Sequence, residues 1–316
     1  MSIGIPTYNR PMGLMNSLEC LTKQSHFNIE IIISDNCSPI DEVEEIAKKY
    51  VESDSRVKYF RQPENMGAAF NFSFVLQQAS GDYFMWAADD DWWEPEFIEK
   101  IIAAIQQSPK AIAGFCNYSV VNEENIRQKF NDPLPYLHEL THSNDFKRLS
   151  SFINQYEGYG KSNIFYSIIE TNILKNIPFD LTIEKVPLGG DLSLIYSWLR
   201  SGQIVVVDQV LRRTTIGNVK QNAQFITEYD DKRWKTILFT IYTGKWTFYW
   251  KTWKDNLFFY FYLTSTSQLS AITKTLLYFT ISKKIMFFCY DLVCYNIVTR
   301  GFDLFQYLKR KESLAQ

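Results

Sequence analysis

The chain has 316 residues, of which 46% are hydrophobic, 16% aromatic and 22% charged, with a formal net charge of −2. That length buries a sizeable core in one large domain or two unequal ones, and the composition excludes a disordered or fibrous chain. The small net charge conceals a division: from Lys232 onward there are 13 Lys/Arg against 4 Asp/Glu, a balance of +9, so the residues before it carry −11.

Taken in chain order, Ile3-Gly4-Ile5-Pro6 reads as a short apolar strand and Leu14 to Thr22 as a helix. Ile29 to Ser34 is a nearly continuous apolar run, the pattern of a strand buried on both faces. Asp41 to Val51 is an amphipathic helix opened by Asp41, Val57 to Phe60 a third strand, and Ala68 to Ala79 a helix. Tyr83 to Ala87 is a fourth strand running into Asp89-Asp90-Asp91, and Pro95 to Gln106 is a helix with Glu94 and Glu96 at its positive end. This alternation implies a parallel sheet covered on both faces. Beyond it, strands are predicted at Ile112–Tyr118, Ile164–Ile169 and Ile204–Val207, with a helix at Leu192–Leu199. The last hundred residues are aromatic-rich and helical in look.

Other features narrow the class. The five cysteines (Cys20, Cys37, Cys116, Cys289, Cys294) show no CxxC or CxxH spacing, which argues against a zinc site or disulfide framework and fits a reducing compartment. No signal-peptide pattern stands at the start and no apolar run has the length of a transmembrane helix, so a cytoplasmic protein is expected.

Ligands in open α/β sheets bind beyond the carboxyl ends of the strands. Three polar clusters fall there: Thr7-Tyr8-Asn9-Arg10, Asp35-Asn36 and Asp89-Asp90-Asp91. Three adjacent aspartates repel one another unless something neutralises them. A solvated turn or helix cap also favours Asp, but the flanks here are Phe84-Met85-Trp86-Ala87-Ala88 and Trp92-Trp93. Carboxylates emerging from an apolar wall point to Mg²⁺ or Mn²⁺, held between these oxygens and substrate phosphates.

Ile5-Pro6-Thr7-Tyr8-Asn9-Arg10, Ile31-Ile32-Ile33-Ser34-Asp35-Asn36, Glu64-Asn65-Met66-Gly67, Gly81-Asp82-Tyr83 and the triplet followed by Glu94-Pro95 resemble, in order and spacing, the family 2 glycosyltransferases of GT-A fold. The resemblance covers about residues 1–110. It implies an α/β fold, a Rossmann-like, mostly parallel sheet flanked by helices, with residues 1–110 as the nucleotide-sugar half, 111–217 as the acceptor half and 218–316 as a helical, basic and aromatic extension. It further implies an inverting enzyme that moves a sugar from a UDP- or dTDP-sugar to a hydroxyl of a glycan or lipid-linked glycan. Pro6, Thr7 and Tyr8 would line the nucleotide pocket together with Arg10, Asn65 and Gly67, and Asp35 would accept the imide N–H of a pyrimidine base. Asp35 also suits an Asx turn with Asn36. Counting back from Pro95, Asp90 becomes the metal ligand, with Asp91 beside it and Asp89 facing ribose or phosphate. Ala88 stands where many relatives have an Asp, which leaves the division of labour within the triplet open.

Inverting transfer needs a carboxylate to take the acceptor proton. Asp191, after Pro187-Leu188-Gly189-Gly190 and before the apolar-periodic Leu192–Leu199, is the candidate; it also fits a plain N-cap. His138-x₃-His142 reads as a chance pairing in a polar loop, and Arg212-Arg213 as a basic turn or a phosphate contact. In the C-terminal region Trp246, Phe248, Tyr249, Trp250 and Trp253 interleave with Lys245, Lys251 and Lys254. That composition suits peripheral contact with an anionic membrane, or a packed subdomain with a basic face, better than nucleic acid. Two other readings stand beside the transferase: a nucleotidyltransferase, which lacks its usual Gly-rich phosphate loop here, and a catalytically silent membrane-docking protein.

Overall fold

The computed structural model describes residues 1–89, 91–121, 133–155, 161–177, 190–215 and 260–286. One eight-stranded sheet organises them, in the order β3-β2-β1-β4-β7-β6-β8-β5. Its first part follows the predicted alternation closely: β1 (Ser2–Thr7), α1 (Pro11–Thr22), β2 (Glu30–Asp35), α2 (Asp41–Ser53), β3 (Val57–Arg61), α3 (Ala68–Gln78) and β4 (Tyr83–Trp86). All ladders among these four strands are parallel. The chain goes from β1 outward to β2 and β3, then returns to place β4 on the other side of β1. Strand order therefore reverses between β1 and β4, the position at which open sheets form ligand crevices.

The second part is mixed. β5 (Trp92–Trp93), α4 (Phe97–Gln106) and β6 (Ala111–Val121) are followed by short helices α5 (Leu134–His138) and α6 (Asp145–Asn154). β7 (Ile168–Glu170), α7 (Thr171–Lys175), α8 (Gly190–Leu199) and β8 (Gln203–Thr215) come next. β7 runs antiparallel to both β4 and β6, and β5 antiparallel to β8, whereas β6 and β8 are parallel. Parallelism thus governs the first half of the sheet, while antiparallel partners interrupt it in the second.

Three departures from the sequence reading matter later. The strand predicted at Ile164–Ile169 is a 3₁₀ segment over Lys161–Tyr166, and only Ile168–Glu170 is extended. The strand predicted at Ile204–Val207 continues to Thr215, so Arg212 and Arg213 lie in β8 rather than in a turn. His138 ends α5, and its Nε2 sits 3.0 Å from Asp208 Oδ1.

The core occupies both faces of the sheet, as alternating strand residues require. Ile31, Ile33, Met85 and Ala87 pack with α1, α2 and α4 on one face. Ile32, Phe84 and Trp86 pack with α3, α6 and α8 on the other. Tyr260, Leu263, Leu277 and Ile281 from the described C-terminal residues join this second cluster. No helix among the described residues is long and apolar enough to cross a membrane.

Candidate functional site

The site is built at the carboxyl end of β1. Thr7 is buried there, and its hydroxyl donates to Asp89 Oδ2 at 2.9 Å. From the entry to α1, Arg10 Nη1 donates to Asp89 Oδ1 at 3.0 Å. Both oxygens of one carboxylate are thereby engaged from residues 79 and 82 positions earlier in the chain. The backbone is fixed as well: Ser17 Oγ donates to the Ala88 carbonyl at 3.0 Å. Gly13 allows this approach, since a Cβ there would stand 1.9 Å from the Asp89 carbonyl oxygen.

After Asp91 the chain enters β5, at the far edge of the sheet from β4. In the sheet, β7, β6 and β8 lie between β4, which precedes the acidic segment, and β5, which follows it. Asp91, 1% exposed, accepts from Arg212 Nε at 2.9 Å and also from Arg212 Nη2. Arg212 is equally buried, its Nη1 donates to Asn163 Oδ1 at 3.0 Å, and its guanidinium lies over the Tyr166 ring at 4.5 Å. Burial works to lower the Arg212 pKa, but the Asp91 charge and the hydrogen bonds to it, with smaller contributions from Tyr166 and Cys116, together more than offset it, so the guanidinium stays protonated. The 3₁₀ segment that supplies Asn163 and Tyr166 thus braces Arg212, through which β8 reaches the acidic segment. Next along β8, Arg213 pairs with Glu94 at 3.1 Å and is partly exposed.

Asp35 lies at the end of β2 with no solvent exposure. Its Oδ1 accepts from the Ser38 amide at 2.8 Å and the Ser38 hydroxyl at 2.5 Å; Oδ2 accepts from Tyr59 at 3.0 Å and Arg61 Nη1 at 3.2 Å. Burial, then the Asp35 charge, pushes the Tyr59 phenol above its ordinary range, so it remains a donor. Asp35 therefore organises its own loop. Asn36, rather than Asp35, ties that loop outward: its Nδ2 donates to Asn65 Oδ1 at 2.8 Å, and its Oδ1 accepts from the Met66 amide at 2.9 Å. Asn65 Oδ1 also accepts from the Gly67 amide at 3.0 Å, and Gly67, at φ +86, makes the left-handed turn into α3. Beneath them Asn71 bridges β1 and β2, donating to the carbonyls of Thr7 and Ser34 and accepting from the Ser34 hydroxyl.

Thr7, Arg10 and Asp89 are thus brought into direct contact, Asn65 and Gly67 form the adjoining turn, and Pro6 is buried inside β1. Tyr8 stands 42% exposed just beyond the strand. Asp191 lies in the first turn of α8, partly buried, on a helix that packs against the 3₁₀ segment at Lys161–Tyr166. Asp90 lies outside the described residues. Sequence reasoning missed Ser38, Tyr59, Arg61, Asn71, Asn163 and Tyr166, and it misread Arg212. The only available signal was the need to neutralise each buried carboxylate, which says nothing about which distant residue does so.

The model of the family described as "Glycosyl transferase family 2" matches residues 2–166, just over half of the chain. The chain belongs to that family. That membership speaks against the nucleotidyltransferase reading. An uncharacterized glycosyltransferase of Haemophilus influenzae is 35% identical over 109 residues, 34% of this chain and 35% of that one. The GalNAc(5)-diNAcBac-PP-undecaprenol beta-1,3-glucosyltransferase of Campylobacter jejuni is 25% identical over 185 residues, 57% of this chain and 54% of that one. The chain thus spans well under two thirds of the length of either relative. Among solved structures, residues 1–349 of S. aureus TarS align with a TM-score of 0.57 at 18% identity, covering 86% of this chain and 68% of that one. That likeness confirms the GT-A fold.

Proposed function

We propose that the transferase moves a sugar, with inversion, from a UDP- or dTDP-sugar to a hydroxyl of a glycan or lipid-linked glycan in bacterial surface polysaccharide synthesis. The observation that carries this reading is the anchored acidic segment at the strand-order reversal, where Thr7, Arg10 and Asp89 meet. Two relatives add support. TarS was solved in complex with UDP and with UDP-GlcNAc, and the Campylobacter jejuni enzyme takes its name from an undecaprenol-linked glycan. The basic, aromatic residues after Lys232 suit work at the inner face of the cell membrane.

Oxygen donors suit Mg²⁺ or Mn²⁺. Asp89 fits such an ion, because its partner Arg10 is more than half exposed and can be displaced. Asp91 fits poorly, since a buried guanidinium already balances it. Among the described residues no three acidic, His or Cys side chains cluster as a ligand set. We therefore assign the ion to Asp90 with Asp89, and make Asp91 an anchor. Bound there, the ion would offset charge on the departing diphosphate.

The protein's own groups do the rest. Arg10, at the mouth of the site, exchanges Asp89 for a diphosphate oxygen. Asn65, Gly67 and Tyr8 border the nucleoside, while Asp35 holds the loop that presents them. Asp191 accepts the acceptor proton as the hydroxyl attacks the anomeric carbon. The test is a thermal-shift series with UDP, dTDP and GDP, with and without Mn²⁺, followed by transfer assays. A ligand that binds only the folded state raises the melting temperature. UDP or dTDP should do so in a Mn²⁺-dependent way, and Asp90→Asn should remove the dependence. Asp191→Asn should keep nucleotide binding and lose transfer. Equal stabilisation by all nucleotides without metal would sink the donor assignment.

A further inference from the structure

The described C-terminal residues form a helix over 271–286 with two apolar faces. One is accounted for: Leu277 and Ile281 are fully buried in the domain core, and Lys284 donates to the carbonyl of Ile153. Just before it, the Thr264 and Tyr196 hydroxyls hydrogen-bond at 2.7 Å. These contacts fix the helix on the domain and determine which side points outward.

The outward side is apolar too. Ile272 is 75% exposed, Leu276 41%, Phe279 71% and Met286 72%. With exposed Lys283 among them, these positions follow steps of four, three, four and three residues. At 3.6 residues per turn they share an arc of about 80°. A contiguous apolar stripe on an exposed helix marks an interaction surface.

We propose that this stripe docks on an anionic bilayer surface. Its chemistry selects that occupant over a second copy of the chain. Residues 260–286 contain three lysines and no Asp or Glu, within a C-terminal region of balance +9. Lys283 falls in the middle of the stripe, where a dimer interface would bury its charge among apolar side chains. At a bilayer its stem lies along the apolar boundary while the ammonium reaches lipid phosphate. Aromatic and aliphatic side chains then enter the acyl boundary.

This deepens the membrane location proposed above, and the experiment separates the two. Full-length protein is centrifuged with vesicles of phosphatidylglycerol and phosphatidylcholine in equal parts, and with pure phosphatidylcholine vesicles. Wild type should pellet with the first and not the second, less so as salt is raised. Phe279→Glu combined with Met286→Glu should weaken binding at least ~tenfold, as expected from withdrawing two large apolar side chains. Its melting temperature and its response to UDP should be unchanged, because both residues are exposed and remote in sequence from the acidic segment. Lys283→Glu alone should give a smaller, salt-sensitive loss. If the double variant binds as wild type does, the membrane location stands and the stripe is not its cause. If wild type ignores anionic vesicles, both fall. A protein that dimerises through the stripe and binds no vesicle overturns the proposal in favour of a second copy.

Discussion

Asp89 and Asp91 are two residues apart and carry the same charge, yet they are neutralised in opposite ways. Asp89 is held by a hydroxyl and by Arg10, whose side chain is 57% exposed. Asp91 is held by Arg212 with both side chains out of solvent. An exposed ion pair contributes little to stability and rearranges readily. A buried pair resists change, because losing one partner strands the other charge away from water. The acidic segment thus has one adjustable end, facing the strand-order reversal, and one fixed end, tied to β8 and the 3₁₀ segment.

The fixed end predicts the largest effect. Arg212→Ala should destabilise the fold by about 3–5 kcal/mol, seen as a lower urea midpoint, because it leaves Asp91 buried and uncompensated. Arg212→Met combined with Asp91→Leu should recover most of that loss. If the single variant unfolds at the wild-type midpoint, Asp91 is not held as described.

Gly13→Ala probes the adjustable end through its backbone. A methyl group would meet the Asp89 carbonyl at 1.9 Å, and a helix start cannot yield that far without moving the segment. Overpacking costs of about 1–3 kcal/mol are expected. UDP affinity should fall more than stability does, since the shift is centred on Asp89. An unchanged nucleotide response with lowered stability would detach Gly13 from the site.

The same contrast explains what was legible in the sequence. The β1–β4 half was readable because its signals are local: the Ile31-Ile32-Ile33 run, the helical spacings between strands, and a resemblance confined to about residues 1–110. The middle was not. The helix Asp145–Asn154 has a sound cap, with Asn144 accepting from the Lys147 amide, and buried Leu149, Phe152 and Ile153 at helical spacing, a signal that was present and passed over. The 3₁₀ segment at Lys161–Tyr166 has no such period, and its apolar Ile164 and Phe165 imitate a strand. The site was readable in its carboxylates and silent about their partners. Electrostatics demanded neutralising charge for the triplet, and metal appeared sufficient. For Asp91 the fold supplies Arg212 from 121 positions away, a pairing created only when β8 enters the sheet. For Asp35, local turn chemistry and donor recognition were both admissible. Its carboxylate accepts four hydrogen bonds, two from Ser38 and one each from Tyr59 and Arg61, which tie it to its own loop and to β3.

Arg10→Ala should have the smallest effect on stability and is the sharpest test of the adjustable end. The pair is exposed on the arginine side, so its loss should cost under ~1 kcal/mol, and Thr7 remains on the other oxygen of Asp89. Nucleotide binding should respond differently. If Arg10 leaves Asp89 for a diphosphate oxygen, the variant should bind UDP more weakly while uridine, which has no phosphate, binds both proteins alike. The UDP difference should shrink as salt rises, because the contact is ionic and near solvent. Arg10→Lys should restore part of it, since a point charge keeps the attraction without the two-pronged geometry. Equal losses for UDP and uridine would mean that Arg10 merely braces Asp89, and both ends of the acidic segment would then be structural.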